Sequence, residues 1–304
     1  MCNSIGLIGF GIWGSKVLEE LIFLRCKVHI LEVELTKKEM ALDKGALSFV
    51  VDINIFLKND FQGIIIASST SSHVNLLSKL QNISCPLFVE KPLTNSSHEL
   101  DQILQLSKPD IFMMHIWKYH PGVNLLAKLA KDGSMGDIKG VKSMRTNWTS
   151  PRKDTDSLWN LAIHDLSICE TILGQIPVRK QVVAEKHNGT VRGVVALLGE
   201  EPYYHFEVSN RYPDKQREIR VFGTKAVAIL KDEKVDYVEI HYGDDESNIG
   251  ESSGQKHYFE STPPLRIEIL SFLNYLNGGE APPTNLEEGI RLIKHLLDIQ
   301  NKFQ

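Results

Sequence analysis

An apolar stretch, Ile5-Gly6-Leu7-Ile8, runs into Gly9-Phe10-Gly11-Ile12-Trp13-Gly14 and from there into a helical pattern. A strand followed by G-x-G-x-x-G and a helix leaves the chain few folds to adopt. Gly9 permits the tight turn at the strand end, Gly11 leaves room for a pyrophosphate to approach the backbone, and Gly14 lets the helix pack closely on the strand. The pyrophosphate then rests on the helix N-terminus, where unpaired N–H groups and the helix dipole favour negative charge. With 21 glycines in 304 residues a bare match means little. The flanking strand and helix give it weight, and they predict a dinucleotide site.

A second strand, Lys27 to Glu32, follows the predicted helix Ile12 to Leu24 and ends in a carboxylate about 20 residues beyond the loop, as the fingerprint requires. Glu32 at that position accepts hydrogen bonds from the adenosine ribose hydroxyls and repels a 2′-phosphate, so NAD is the expected cofactor. Lys37 and Lys38 lie close enough to rescue a 2′-phosphate, which keeps NADP open.

The 304 residues, 42% hydrophobic, can bury a full core and suggest two domains. A net charge of -4 offers no basic footprint for nucleic acid. No apolar run approaches the ~20 residues of a membrane span, and no signal-peptide pattern is present; a cytoplasmic protein is expected. Cys2, Cys26, Cys85 and Cys169 form no C-x-x-C pair, so neither a metal site nor a disulfide framework is expected.

Up to about residue 118, short apolar runs alternate with helical patterns, the signal of a doubly wound parallel sheet. The candidate strands are Ser4 to Ile8, Lys27 to Glu32, Leu47 to Val51, Gly63 to Ala67, Leu87 to Val89 and Ile111 to His115. Thr36 with Glu39, and Ser96 with Glu99, fit the capping box. Pro121 opens a helix ending near Gly133. From Ile138 the pattern becomes strand-like: Val141 to Thr146, Val191 to Leu198, Tyr203 to Ser209, Glu218 to Phe222, Ala226 to Leu230 and Val235 to Tyr242. One helix, Leu166 to Leu173, interrupts it. The expected architecture is α/β: an N-terminal Rossmann domain (1–118) and a C-terminal α+β domain (119–304) on a largely antiparallel open sheet. Two closing helices, Leu265 to Leu276 and Leu286 to Lys302, pack back onto the body.

At the end of the fifth strand stands Glu90-Lys91-Pro92, on the carboxyl edge where open α/β sheets bind ligands. Ala67-Ser68-Ser69-Thr70-Ser71-Ser72-His73 follows the fourth strand; later come Lys118-Tyr119-His120-Pro121, Leu158-Trp159-Asn160-Leu161-Ala162-Ile163-His164-Asp165-Leu166 and Val208-Ser209-Asn210-Arg211. In this combination the chain resembles, over essentially its whole length, the Gfo/Idh/MocA dehydrogenases, typified by glucose-fructose oxidoreductase and inositol dehydrogenase.

The resemblance implies hydride transfer between NAD(P) and a sugar or cyclitol carbon. The motif lysine, Lys91, contacts the reacting hydroxyl, and the histidine of the second domain, His164, accepts the proton. Oxidising a secondary alcohol requires a base on the hydroxyl as hydride leaves the same carbon, a task suited to an imidazole, and a fixed ammonium stabilises the developing alkoxide. The family often carries a carboxylate four residues before the histidine; Asn160 stands there instead. The resemblance places Gly9, Phe10, Gly11, Ile12, Trp13, Gly14, Glu32, Ser68, Ser69, Thr70, His73, Glu90 and Lys91 at the cofactor. Lys118, Tyr119, His120, Arg145, Trp148, Arg152, Asn160 and His164 are candidates to touch substrate. His115 is expected to be buried and structural; the alternative for His164 is a residue at a helix N-terminus without chemistry, with Asp165 as its capping neighbour.

The phrases around Trp13-Gly14 and His164 look most like members associated with bacterial surface-polysaccharide pathways, which act on nucleotide-linked sugars. A cyclitol dehydrogenase and a non-catalytic dinucleotide-binding sensor are the alternatives. The open sheet face predicts a homodimer or homotetramer.

Overall fold

The computed structural model describes residues 3–107, 110–149, 155–243 and 254–303. Its chain divides into two compact units, Met1–His115 with Leu265–Ile293, and Ile116–Pro264 with Lys294–Gln304.

The first unit is built on six parallel strands: β1 (Ser4–Ile8), β2 (Lys27–Leu31), β3 (Ser48–Val50), β4 (Gly63–Ile66), β5 (Leu87–Glu90) and β6 (Ile111–Met114). They lie in the order β3-β2-β1-β4-β5-β6, reversing direction of progress at β1, where such sheets bind nucleotides at their carboxyl ends. All four residues of β4, of β5 and of β6 are buried. This explains why these strands read as unbroken apolar runs: a parallel sheet covered on both faces has no polar side.

Five helices join these strands: α1 (Ile12–Phe23), α2 (Lys38–Asp43), α3 (Ile53–Phe56), α4 (Thr70–Leu80) and α5 (Ser97–Ile103). Ser96 caps α5 as expected, its hydroxyl accepting from the Glu99 amide (3.4 Å). Thr36 does not cap a helix. It sits inside a 3-10 turn, Leu35–Lys37, and α2 starts two residues later without a side-chain cap.

The second unit opens with a 3-10 turn, Ile116–Tyr119, and α6 (Pro121–Lys131). Its sheet has eight strands: β7 (Ile138–Trp148), β8 (Arg179–His187), β9 (Thr190–Leu198), β10 (Tyr203–Ser209), β11 (Arg211–Gly223), β12 (Ala226–Leu230), β13 (Tyr237–Tyr242) and β14 (Gln255–Tyr258). The order is β14-β13-β12-β11-β7-β10-β9-β8, antiparallel except where β7 and β10 run parallel. A π-helical turn, Leu158–Ala162, leads into α7 (Ile163–Leu173), three residues earlier than the sequence pattern indicates.

One face of this sheet is closed and one is open. Val194, Ala196, Phe206, Val208 and Ile219 are buried. The intervening row Val183, Val195, Glu207, Met144 and Glu218, joined strand to strand by register, is half or fully exposed. Val183 is 69% exposed.

Two further helices follow, α8 (Pro264–Leu276) and α9 (Leu286–Gln300). In the first unit, the Phe272 ring of α8 stacks on Phe88 of β5 at 4.8 Å, and Tyr275 donates to Asp110 (3.0 Å). No helix among the described residues is long and apolar enough to cross a membrane. Cys26, Cys85 and Cys169 are buried; Cys2 lies outside the described residues.

Candidate functional site

In the first unit the glycine loop hangs between β1 and α1 with Gly9 at φ +95°, a conformation open to glycine. A Cβ there would press on the Ser68 backbone at 2.7 Å, and one at Gly14 would collide with the Gly9 carbonyl at 2.1 Å. At Gly11 a Cβ would meet nothing within 4 Å, and no side chain caps the α1 N-terminus. Open space in front of uncapped amides fits a pyrophosphate. Ile12 is 86% exposed, and the buried Trp13 Nε1 has no hydrogen-bond partner among the described residues.

Glu32, just past β2, is 8% exposed. Its carboxylate accepts from the amides of Phe10 (2.7 Å) and Glu34 (3.1 Å) and meets Lys37 Nζ at 3.3 Å. Burial pushes this carboxyl upward, but the two amides and Lys37 outweigh it and hold Glu32 below the usual range. Lys37 also pairs with Glu34 at 3.0 Å. The lysine that sequence reasoning set against Glu32 is thus shared between two carboxylates. These surroundings fit a ribose diol better than a 2′-phosphate.

Ser68, Ser69 and Thr70 form the entry to α4; the Ser68 hydroxyl meets that of Ser72 at 2.7 Å, and Thr70 is buried. His73 is fully buried, with Nδ1 at 3.0 Å from the Pro92 carbonyl and Nε2 at 3.2 Å from the Ser68 carbonyl. Glu90 is 8% exposed and its carboxylate accepts from the Lys91 amide (2.8 Å). Behind this strand end lies a cluster that sequence reasoning missed. His115 Nδ1 meets Glu288 at 3.0 Å, and Glu268 is wholly buried. Its members lie far apart in sequence, so no local motif signals them.

In the second unit, Asn160 lies in the π turn and His164 is the second residue of α7. Asp165 does not cap the helix. It is fully buried, accepting from Ser143 Oγ (2.7 Å) and Arg145 Nε (2.7 Å). Tyr204 donates to the Asp165 carbonyl (2.7 Å), so the residue after His164 is anchored at three points. The Arg145 guanidinium also lies 4.2 Å from the centroid of Trp117.

Lys118 pairs with Glu170 at 2.8 Å, and Tyr119 is buried. His120 caps α6: Nδ1 accepts from the Gly122 amide (3.1 Å), so Nε2 carries the proton and donates to the Glu233 carbonyl (3.2 Å). Trp148 is exposed at the end of β7. Arg152 lies outside the described residues. Among the described residues, no group of three or more His, Cys, Asp or Glu side chains could hold a metal ion.

A doubly wound sheet with a glycine loop at the end of β1 and an acid at the end of β2 is the frame of a dinucleotide-binding Rossmann domain. Residues 4–111 match the model of the oxidoreductase family with an NAD-binding Rossmann fold, GFO_IDH_MocA. Inositol 2-dehydrogenase from Corynebacterium glutamicum (strain R) is 22% identical over 214 residues, which make up 64% of this chain and 62% of that protein. The chain therefore spans less than two thirds of that relative's length.

Among solved structures, UDP-N-acetylglucosamine 3-dehydrogenase from Acidithiobacillus ferrooxidans has a TM-score of 0.83 at 18% identity, covering 99% of this chain and 97% of its own. Levoglucosan dehydrogenase in complex with NADH has a TM-score of 0.85 at 15% identity, covering 99% of this chain and 96% of its own. At these identities the likeness is one of fold.

Proposed function

We propose that the chain is an NAD-dependent dehydrogenase that oxidises a secondary alcohol of a sugar. The observation that carries this reading is the cradle of Gly9, Gly11, Gly14 and Glu32 in an NAD-binding family segment. NAD, when bound, accepts the hydride. Lys91 donates to the reacting oxygen and stabilises negative charge as it develops there. His164 removes the hydroxyl proton as the carbon–oxygen double bond forms, and Asp165, tied to Ser143 and Arg145, fixes the start of α7 on which His164 stands. Asn160 supplies an amide for a substrate hydroxyl.

A nucleotide-linked sugar is the favoured substrate class, on the resemblance of the segment around His164. A cyclitol is the second, since a curated relative is named inositol 2-dehydrogenase. The deciding experiment offers NAD or NADP with inositols, free sugars and UDP-linked sugars, following absorbance of the reduced nicotinamide. Turnover with NAD and one of these classes is expected. NADH binding without turnover on any class would favour the sensor reading.

The half-open row from Val183 to Glu218 supports association of two or more copies through the second unit's sheet. Sedimentation equilibrium at micromolar concentration is expected to give a dimer or tetramer; a monomer would refute this.

A further inference from the structure

The fully buried imidazole of His73 reaches the carbonyl of Ser68 with one ring nitrogen and that of Pro92 with the other. These carbonyls belong to two different loops at the carboxyl edge of the sheet. Ser68 follows β4 and backs directly onto Gly9, where a Cβ would come within 2.7 Å of its backbone. Pro92 follows Lys91, whose own amide is held by Glu90. From glycine loop to lysine there is thus an unbroken set of contacts, and His73 is its middle member. A neutral imidazole carries one N–H, so the ring donates to one of these carbonyls and packs its other edge against the second, and a fully buried ring so wedged holds the two loops in register. Neither ring nitrogen faces solvent.

We propose that His73 is a positioning residue that sets where Lys91 stands by clamping the turn after β5 to the turn after β4. It touches no reacting atom. This rests on the reading of Lys91 as the residue that meets the reacting oxygen. The clamp has two halves that substitutions can separate. An asparagine amide can stand in for Nδ1 and keep the Pro92 contact, whereas a glutamine amide can stand in for Nε2 and keep only the Ser68 contact.

The experiment compares His73→Gln with His73→Asn in the full-length protein. It reads kcat and KM, NADH affinity by fluorescence titration, melting temperature, and the pH profile of Lys91 labelling by pyridoxal phosphate and borohydride. His73→Gln is expected to lose kcat by about tenfold or more, as small displacements of a reacting group do, and to shift the labelling profile of Lys91. NADH affinity is expected to change less than about threefold, a smaller effect than the loss of a reacting group's alignment. His73→Asn is expected to recover most of both losses. Equal losses in the two variants that follow their melting temperatures, or a Lys91 profile unchanged in His73→Gln, would overturn the proposal. If the unsubstituted protein turns over no substrate, the dehydrogenase reading fails, and the labelling profiles still decide the clamp.

Discussion

Lys91→Ala and His164→Ala are each expected to lower kcat by about 10²- to 10⁴-fold while NADH still binds. Removing Lys91 takes away a fixed positive donor at the oxygen where charge develops. Removing His164 leaves the hydroxyl proton to water. Nucleotide affinity should survive, because the pyrophosphate and ribose contacts assigned above belong to the glycine loop and Glu32. The check is steady-state turnover on whichever substrate the screen identifies, paired with fluorescence titration of NADH. Full turnover in both variants would remove the assignment of these two residues. Lost NADH binding in His164→Ala would place that side chain at the nucleotide instead.

The second large effect concerns Glu268. Its side chain is fully buried, and neither carboxylate oxygen has a hydrogen-bond partner among the described residues. Burial, with the carboxylates of Glu90 and Glu288 nearby, pushes its pKa well above the ordinary value of 4.5. The folded protein therefore keeps a proton that the unfolded chain releases. Stability from this group is fully present below the unfolded pKa. It is lost as pH rises towards the folded pKa, at about 1.4 kcal/mol per pH unit for one proton. Glu268→Gln removes the titration. Its stability relative to the parent should rise with pH above about 4.5, the ordinary glutamate value. Urea unfolding of both proteins from pH 5 to pH 9 checks the sign; a difference that stays constant with pH would refute it.

The elements that could be read from the sequence are those whose burial is uniform or whose chemistry is local. Strands β4 to β6 are covered on both faces and read as apolar runs. The glycine loop and Glu32 could be read because the dinucleotide fingerprint they match fixes residue type at short spacing. Strands β8 and β14 escaped notice. They lie at the two edges of the second sheet, and Gln255–Tyr258 carries a polar sequence without an apolar face. Strand β11 begins seven residues before its predicted start, because Pro213 argues against a strand; the register shift between Arg211 and Gln216 accommodates it.

The same division holds at the site. Lys91 and His164 stand in recognisable local phrases, whereas the partners of Asp165, the captured Lys37 and the cluster of His115, Glu268 and Glu288 depend on tertiary contacts. His120, a cleft-lining candidate in the sequence, has both ring nitrogens on the backbone, capping α6 and reaching the Glu233 carbonyl, contacts that no local pattern signals.

The nucleotide-binding unit is not continuous in the chain: residues 116–264 intervene before Leu265–Ile293 return to it. Phe272 and Tyr275, from that returning segment, cover Phe88 and Phe112 of the parallel sheet. On the ribosome, the first six strands therefore emerge long before their aromatic cover is made. Exposed apolar sheet surface of this kind invites aggregation while it waits. An N-terminal fragment cut at the apparent end of the Rossmann pattern would carry that exposure permanently, whereas joining 265–293 to it by a short linker would restore the cover.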